Sequence, residues 1–240
     1  MQKQNTILIY SGGMDSTVLL YKLLNDNYTV RCLSIDYGQK HKRELNYAKS
    51  LCEQVSVEHK IIDLTSVTEL LSNSSLINPE QAIPQGHYEK ESMKATVVPN
   101  RNMILLSLAT AWAINCKASS VSYAAHAGDH TIYPDCRESF ANGMNEVMQL
   151  CDWHSVKLNR PFVDMTKAEI CKLGALLQVP YEKTWSCYQG NELHCGRCGT
   201  CVERREAFYL AGVEDPTEYE AQAPTIEQML ETNWKLNDEY

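Results

Sequence analysis

The 240-residue chain has no apolar run approaching the ~20 residues of a membrane-spanning helix. Its first stretch, MQKQNTILIYSGGMD, holds at most five consecutive apolar residues, too few for a secretory signal core. Both absences set the expectation of a cytoplasmic protein that engages no membrane. A surplus of positive charge is also missing. The 22 Lys+Arg stand against 30 Asp+Glu, a net charge of −8, which argues against a dedicated nucleic-acid binder. No internal repeat and no low-complexity tract occurs. With 44% hydrophobic and 22% charged residues the composition is ordinary for a globular protein, and a chain of this length buries enough surface to fold without staples.

The acidity is unevenly spread. Through Cys201 there are 19 basic and 20 acidic residues; from Val202 to Tyr240 there are 3 and 10. The acidic tail is expected to be a solubilising surface or subunit contact, and the body to be nearly neutral. The 10 cysteines are uneven as well. Cys32, Cys52, Cys116, Cys136, Cys151 and Cys171 stand singly, whereas Cys187, Cys195, Cys198 and Cys201 are clustered. Without a secretory signal, such a cluster points to metal or redox chemistry rather than a disulfide framework.

Apolar patterning alternates between strand and helix. Thr6–Ser11, Val30–Ile35, Glu58–Ile62, Ser120–Ala124 and Val156–Leu158 read as strands. Met14–Leu24, Lys40–Val55, Asn102–Asn115, Asp135–Leu150 and Thr166–Leu177 read as helices. Alternation of this kind implies a parallel sheet with right-handed crossovers. Thr65–Thr96 breaks the pattern and is expected to be a long surface excursion, a lid or an interface. Thr166-Lys-Ala-Glu169 matches a capping box. Glu203–Leu210 is expected to be a short helix, and the chain beyond Gly212 to be irregular. The expected division is an α/β domain over 1–180 and a cysteine-bearing segment with the tail over 181–240.

Ser11-Gly12-Gly13-Met14-Asp15-Ser16 follows the first strand and opens the first helix. Glycines let a backbone approach an anion, and a helix N-terminus adds N–H groups and a positive dipole end. No Gly-Lys-Ser/Thr follows, so this is not a Walker loop, and it is not G-x-G-x-x-G. Gly, Ser and Asp are also ordinary turn and cap residues, but the whole string at a first strand–helix turn favours a phosphate cradle. Asp15 is odd beside phosphate unless it holds Mg²⁺ or caps the helix.

The spacing Cys187-x7-Cys195-x2-Cys198-x2-Cys201 offers four thiolates to one tetrahedral ion, and structural zinc is the favoured reading. An iron–sulfur cluster or a redox dithiol remains open, and His194 is an alternative ligand. Arg197, Arg204 and Arg205 face either a substrate carboxylate or solvent. The stretch His126-Ala-Gly-Asp129-His130 through Tyr133-Pro-Asp135-Cys136-Arg137 lies where open α/β sheets bind ligands. Its density of ionisable groups suits acid–base work or cation binding, against a polar loop with Asp135 as a helix cap. Cys136 reads as a buried cysteine rather than a nucleophile. Arg101 opens a helix and suits phosphate. Lys167 sits in a first helical turn, where a cation is unfavourable unless paired, and suits a catalytic or phosphate-binding role.

The loop resembles that of the N-type ATP pyrophosphatases, which split ATP between the α and β phosphates. Together with DYGQKH at 36–41, VPNRN, HAGDHTIYPDCR, TKAEI and TWSCYQGNELHCGRCGTCVERREAF, the chain resembles the 7-cyano-7-deazaguanine synthase (QueC) family from Ile7 to about Tyr219. The resemblance implies a Rossmann-like doubly wound sheet with a small C-terminal zinc-binding subdomain, and a homodimer. It implies ATP held by Tyr10, Ser11, Gly12, Gly13, Met14, Asp15, Ser16 and Thr17, by Val18, Leu19 and Leu20, and by Arg101. Adenine is expected near Tyr10 and residues 36–39. Asp15, Lys167, Asp129 and Arg137 are the expected catalytic residues, Asp15 and Asp129 the expected Mg²⁺ holders, and the four clustered cysteines the Zn²⁺ ligands. The implied substrates are ATP, ammonia and 7-carboxy-7-deazaguanine. The alternatives are a related enzyme that modifies DNA or protein with a deazaguanine, a tRNA-thiolating enzyme of the same superfamily, and a non-enzymatic zinc-knuckle nucleic-acid binder. The thiolating enzyme wants a basic surface, and the knuckle module leaves SGGMDS unexplained.

Overall fold

The computed structural model describes residues 4–236; the last four residues of the acidic tail lie outside the described residues. Five parallel strands form one sheet: β1 (Asn5–Ile9), β2 (Thr29–Asp36), β3 (Glu58–Asp63), β4 (Ser120–Ser122) and β5 (Lys157–Asn159). Their order is β3-β2-β1-β4-β5, with β1 central. The chain leaves β1 for β2 on one side and later returns to β4 on the other. This reversal opens a crevice at the carboxyl ends of β1 and β4, the switch point where open α/β sheets place ligands. β1 is buried on both faces, which is why it reads as a continuous apolar run rather than an alternating one.

Helices cover both faces. On one face α1 (Met14–Asn25), α2 (Arg43–Gln54) and α5 (Lys167–Leu176) enclose a core that includes Leu8, Val18, Leu19, Leu20, Leu51 and Ile170. On the other, α3 (Arg101–Asn115) and α4 (Glu138–Gln149) pack over Ile7, Leu106, Val121 and Met144. The capping box at α5 forms as its sequence suggests: the Glu169 N–H donates to Thr166 Oγ1, and the Thr166 N–H donates to Glu169 Oε2.

Three regions depart from the sequence expectations. The 65–96 segment is not a surface excursion. It folds back through two 3-10 turns, Thr65–Leu71 and Glu91–Thr96, and buries Leu71, Leu76, Ile83, Tyr88 and Met93 in the α3 face of the core. Those residues show no periodicity because short 3-10 turns and irregular chain, rather than an α-helix or strand, present them. Asp135 does not cap α4, which starts at Glu138; its carboxylate instead accepts from the Asn102 N–H at the start of α3. The third departure is at the C-terminal end. The last long helix, α6, runs Gly199–Ala211 and takes Cys201 into its first turn. The tail then makes a further helix, α7 (Ile226–Glu231), and sets Met229, Trp234 and Leu236 against Val202. It is acidic on its surface and apolar beneath, so it buttresses α6 rather than trailing as irregular chain.

Arg204 and Arg205 show the same buttressing. Arg204 is fully buried and donates to Thr184 Oγ1, Ser186 Oγ and the Tyr181 carbonyl, with Asp215 of the tail at 3.3 Å. Arg205 donates to the Pro224 carbonyl. Arg197 donates to the Gln222 carbonyl at the surface. None of the three lines the crevice, so neither sequence reading holds for the buried pair.

Candidate active site

The crevice is lined from the loop after β1 by Tyr10, Ser11, Gly13, Met14, Asp15 and Ser16, and from elsewhere by Arg101, His126, Asp129 and Lys167. The loop is held from within. Ser11 Oγ and Ser16 Oγ lie 3.1 Å apart, and the Gly13 N–H donates to Ser11 Oγ. Thr17 Oγ1 donates back to the Gly13 carbonyl and meets the Tyr10 hydroxyl. Gly13 is the N-cap of α1 and supplies no side chain, so the N–H groups that open the helix stay free for an anion.

The two glycines do different work. Gly12 does not line the crevice. Its φ is +81°, and a Cβ there would fall 2.4 Å from the Glu44 carbonyl oxygen and 2.8 Å from the Ala48 N of α2. It lets α2 pack against the loop. Gly12→Ala is therefore expected to destabilise the fold by about 1–3 kcal/mol, as overpacking does, read as a lower thermal midpoint than wild type. An unchanged midpoint would show that α2 yields freely. Thr17, Val18, Leu19 and Leu20 are also fully buried beneath the loop and face the core rather than the crevice. Arg137 is not among the lining residues; its Nε donates to the His130 carbonyl at the surface.

Lys167 is the electrostatic centre. Its Nζ lies 3.1 Å from Asp15 Oδ2 and 2.7 Å from Glu203 Oε2. Burial opposes its charge, but Asp15 and Glu203 outweigh that and hold the ammonium above its ordinary pKa. Burial would likewise raise Asp15; Lys167 and His126 overcome it and keep the carboxyl below the usual range. Glu203 goes the other way, raised because burial dominates. His126 accepts from the Gly128 N–H through Nδ1, which leaves Nε2 as its N–H, 3.7–3.9 Å from Asp129, Asp15 and Glu203. Asp129 accepts from the Tyr88 hydroxyl and from the His126 backbone N–H. Of the ionisable stretch 126–137, only His126, Asp129 and the buried Cys136 face the crevice.

Glu203 escapes sequence reading. It lies two residues past Cys201, in a segment whose acidic excess reads as surface. Only the α5–α6 packing reveals that it reaches Lys167. Trp185, which falls inside the cysteine-bearing motif, and Glu44, which falls in none, line the crevice. The Glu44 side chain is 13% exposed, and its burial pushes the carboxyl up to about 8 against the pull of Gln39 and Arg101.

Four Sγ atoms, of Cys187, Cys195, Cys198 and Cys201, lie within 4.8 Å of one another, all buried. The Cys195 N–H points at Cys187 Sγ and the Cys198 N–H at Cys195 Sγ, 3.4 and 3.3 Å away. Four converging sulfurs, with no fifth His, Cys, Asp or Glu grouped with them among the described residues, fit a tetrahedral ion such as Zn²⁺. His194 is not among them. Its Nε2 accepts from the Ser186 N–H, and its ring stacks 4.2 Å from Trp185. The knuckle touches both neighbours of the crevice. Gln85 bridges to Cys198, the Gly86 N–H donates to the Arg197 carbonyl, and the Trp185 N–H donates to the Gly12 carbonyl.

Comparison with known proteins agrees with this architecture. The model of the family described as queuosine biosynthesis protein QueC matches residues 5–212. A 7-cyano-7-deazaguanine synthase of Caldicellulosiruptor saccharolyticus is 52% identical over 214 residues, 89% of this chain and 95% of that protein. One from Methanoregula boonei is also 52% identical over 214 residues, covering 89% and 98%. Among solved structures, the NMN synthetase of Francisella tularensis superposes with a TM-score of 0.51 at 17% identity, over 92% of this chain and 81% of that one, a likeness of fold alone. The matched segment runs from β1 through the phosphate loop, the crevice and all four cysteines to the end of α6, and on that extent the chain belongs to the QueC family.

Proposed function

We propose that the chain converts 7-carboxy-7-deazaguanine and ammonia to 7-cyano-7-deazaguanine at the expense of two ATP, in queuosine biosynthesis. The observation that carries this reading is the free helix N-terminus at Gly13, open to the same crevice as Lys167. The substrate carboxylate oxygen attacks the α-phosphorus of ATP, the bond to the bridging oxygen breaks, and pyrophosphate leaves. Ammonia then attacks the acyl carbon, loses a proton, and AMP departs with the C–O bond. The amide oxygen repeats the attack on a second ATP. Loss of AMP and two protons from the nitrogen leaves the nitrile.

In each adenylation, charge accumulates on the departing pyrophosphate. The N–H groups at the start of α1, Ser11 and Ser16 are placed to meet it, and fixed donors of this kind need no reorganisation. Lys167 faces the same charge while Asp15 and Glu203 hold it in place. His126 and the raised Glu203 are the groups beside the crevice able to pass on the protons that ammonia sheds.

Asp15 Oδ1 is buried and has no hydrogen-bond partner among the described residues, a donor that suits Mg²⁺; both Asp129 oxygens are engaged. Mg²⁺ at Asp15 would supply charge neutralisation to the phosphates. Zinc on four sulfurs would have no open position and would hold structure only. A homodimer in the cytoplasm belongs to the same reading. Purified protein with ATP, ammonium and 7-carboxy-7-deazaguanine should release two AMP per nitrile by mass spectrometry. Neither product forming on zinc-loaded protein would end the proposal.

A further inference from the structure

The crevice has a second polar corner, away from Lys167, that the adenylation steps above do not use. His41, two residues before α2, and Glu44, in its first turn, line the crevice together with Arg101, the first residue of α3. Glu44 Oε1 is pinned: Gln39 Nε2 donates to it at 3.2 Å, and Gln39 is itself buried between the Tyr37 N–H and the Ile35 carbonyl. His41 Nε2 lies 3.4 Å from the same oxygen. Glu44 Oε2 has no hydrogen-bond partner among the described residues, and His41 Nδ1 is buried without one. His41 is only 4% exposed, and burial, helped by Arg101, pushes its pKa down to about 3, so the ring is neutral and Nδ1 is a bare acceptor.

Arg101 is the counterpart. Its guanidinium stands 5.9 Å over the Tyr133 ring and pairs with no carboxylate among the described residues. Lys167, the other cation of the crevice, is already claimed by two carboxylates. Arg101 lines the same crevice as Glu44 and His41, yet guanidinium and carboxyl form no ion pair among the described residues. A guanidinium and a carboxyl that line one crevice without closing into an ion pair leave a slot; burial keeps the carboxyl neutral while the site is empty, and ring N–H donors beside the cationic fork favour its ionised form on binding. Its walls offer acceptors on one side and a planar donor fork on the other. A carboxylate takes two adjacent N–H groups from one ring edge, and a guanidinium donates to a ring carbonyl.

We propose that Glu44 and His41 accept from the ring N–H and 2-amino group of the deazaguanine, and that Arg101 donates to its ring carbonyl. That edge alone presents two donors and an acceptor side by side; the adenine edge presents one donor. The assignment rests on the function proposed above. It makes the corner the determinant that selects a 2-amino-oxo ring, and it turns the 7-carboxylate toward the phosphate loop.

The test compares wild type with Glu44→Gln and His41→Asn, using the natural acid and its analogue lacking the 2-amino group. Glu44→Gln should raise KM for the acid about ten- to a hundredfold, the range for losing one bidentate ring contact, and leave KM for ATP within about twofold. His41→Asn should raise the same KM about tenfold. Wild type should discriminate against the analogue, and Glu44→Gln should lose most of that discrimination, a change that general loosening of the fold would not produce. Unchanged discrimination in Glu44→Gln, or a KM rise confined to ATP, would overturn the assignment and leave the reaction intact. If wild type forms no nitrile at all, the underlying function fails instead. Calorimetric ATP binding by each variant shows that it is folded.

Discussion

Lys167→Met should lower the rate of AMP formation by about 10²- to 10³-fold in single turnover, the cost of removing one preorganised group from a developing anion. The residue is only 12% exposed and sits between two carboxylates, so the substitution acts on more than the rate. It leaves Asp15 and Glu203 as buried like charges without their cation, and breaking such an arrangement costs about 3–5 kcal/mol. A fall in rate could therefore reflect a damaged fold. The double variant Lys167→Met/Glu203→Gln separates the two effects. Neutralising Glu203 removes the stranded charge and should restore most of the thermal midpoint, because the remaining pair of groups no longer repels. It should not restore the rate, because the charge that faces the phosphates is still missing. Recovery of both together would show that Lys167 serves only to neutralise its neighbours. Lys167→Arg is expected to recover little, since a planar fork cannot occupy the compact position 2.7 Å from Glu203 and 3.1 Å from Asp15.

This charged centre was only half legible in the amino-acid order. Asp15 and Lys167 could be singled out because each breaks a local rule: an acid beside a phosphate loop, and a cation in a first helical turn. Their pairing resolves both oddities at once. Glu203 breaks no rule, since an acidic residue in an acidic helix is unremarkable until the helix is packed. The strand–loop–helix unit at residues 5–25 was legible because its signals are local, a run of apolar residues, a glycine break and a helical repeat. What Gly12 does was not, because its neighbour is a carbonyl of α2, thirty-two residues away. The tail misled for a related reason. Met229, Trp234 and Leu236 are three apolar residues among many polar ones, and only Val202 beneath them shows that they form one side of a small core. The 65–96 segment is the extreme case: its residues pack without periodicity, so no pattern in the chain announces their burial.

Cys198→Ala should reduce bound zinc from one per chain to near zero and weaken ATP binding at least about tenfold. The first effect follows from the site. Three thiolates hold zinc less well than four, and metal affinity of this kind is folding free energy, about 10–16 kcal/mol in isolated zinc-finger peptides. The second effect follows from the strap between knuckle and loop. Trp185 lies two residues before the first ligand. Its indole N–H donates to the Cys187 carbonyl at 2.8 Å, and its backbone N–H donates to the Gly12 carbonyl at 3.0 Å. One residue thus ties the cysteine cluster to the phosphate loop. Its ring is 2% exposed and is gripped by His194 at 4.2 Å and Tyr47 at 5.6 Å, so it has little room to swing independently. Cys198 is also the N-cap of α6, the helix that delivers Glu203 to Lys167. Releasing the knuckle therefore loosens the loop from one side and the lysine's partner from the other. Metal analysis reads the first prediction and calorimetry with ATP reads the second. Zinc retained in Cys198→Ala would mean the ligand set is wrong. Zinc lost with an unchanged Kd for ATP would mean the loop holds its shape alone, and the hydrogen bond from Trp185 to Gly12 carries no strain between them.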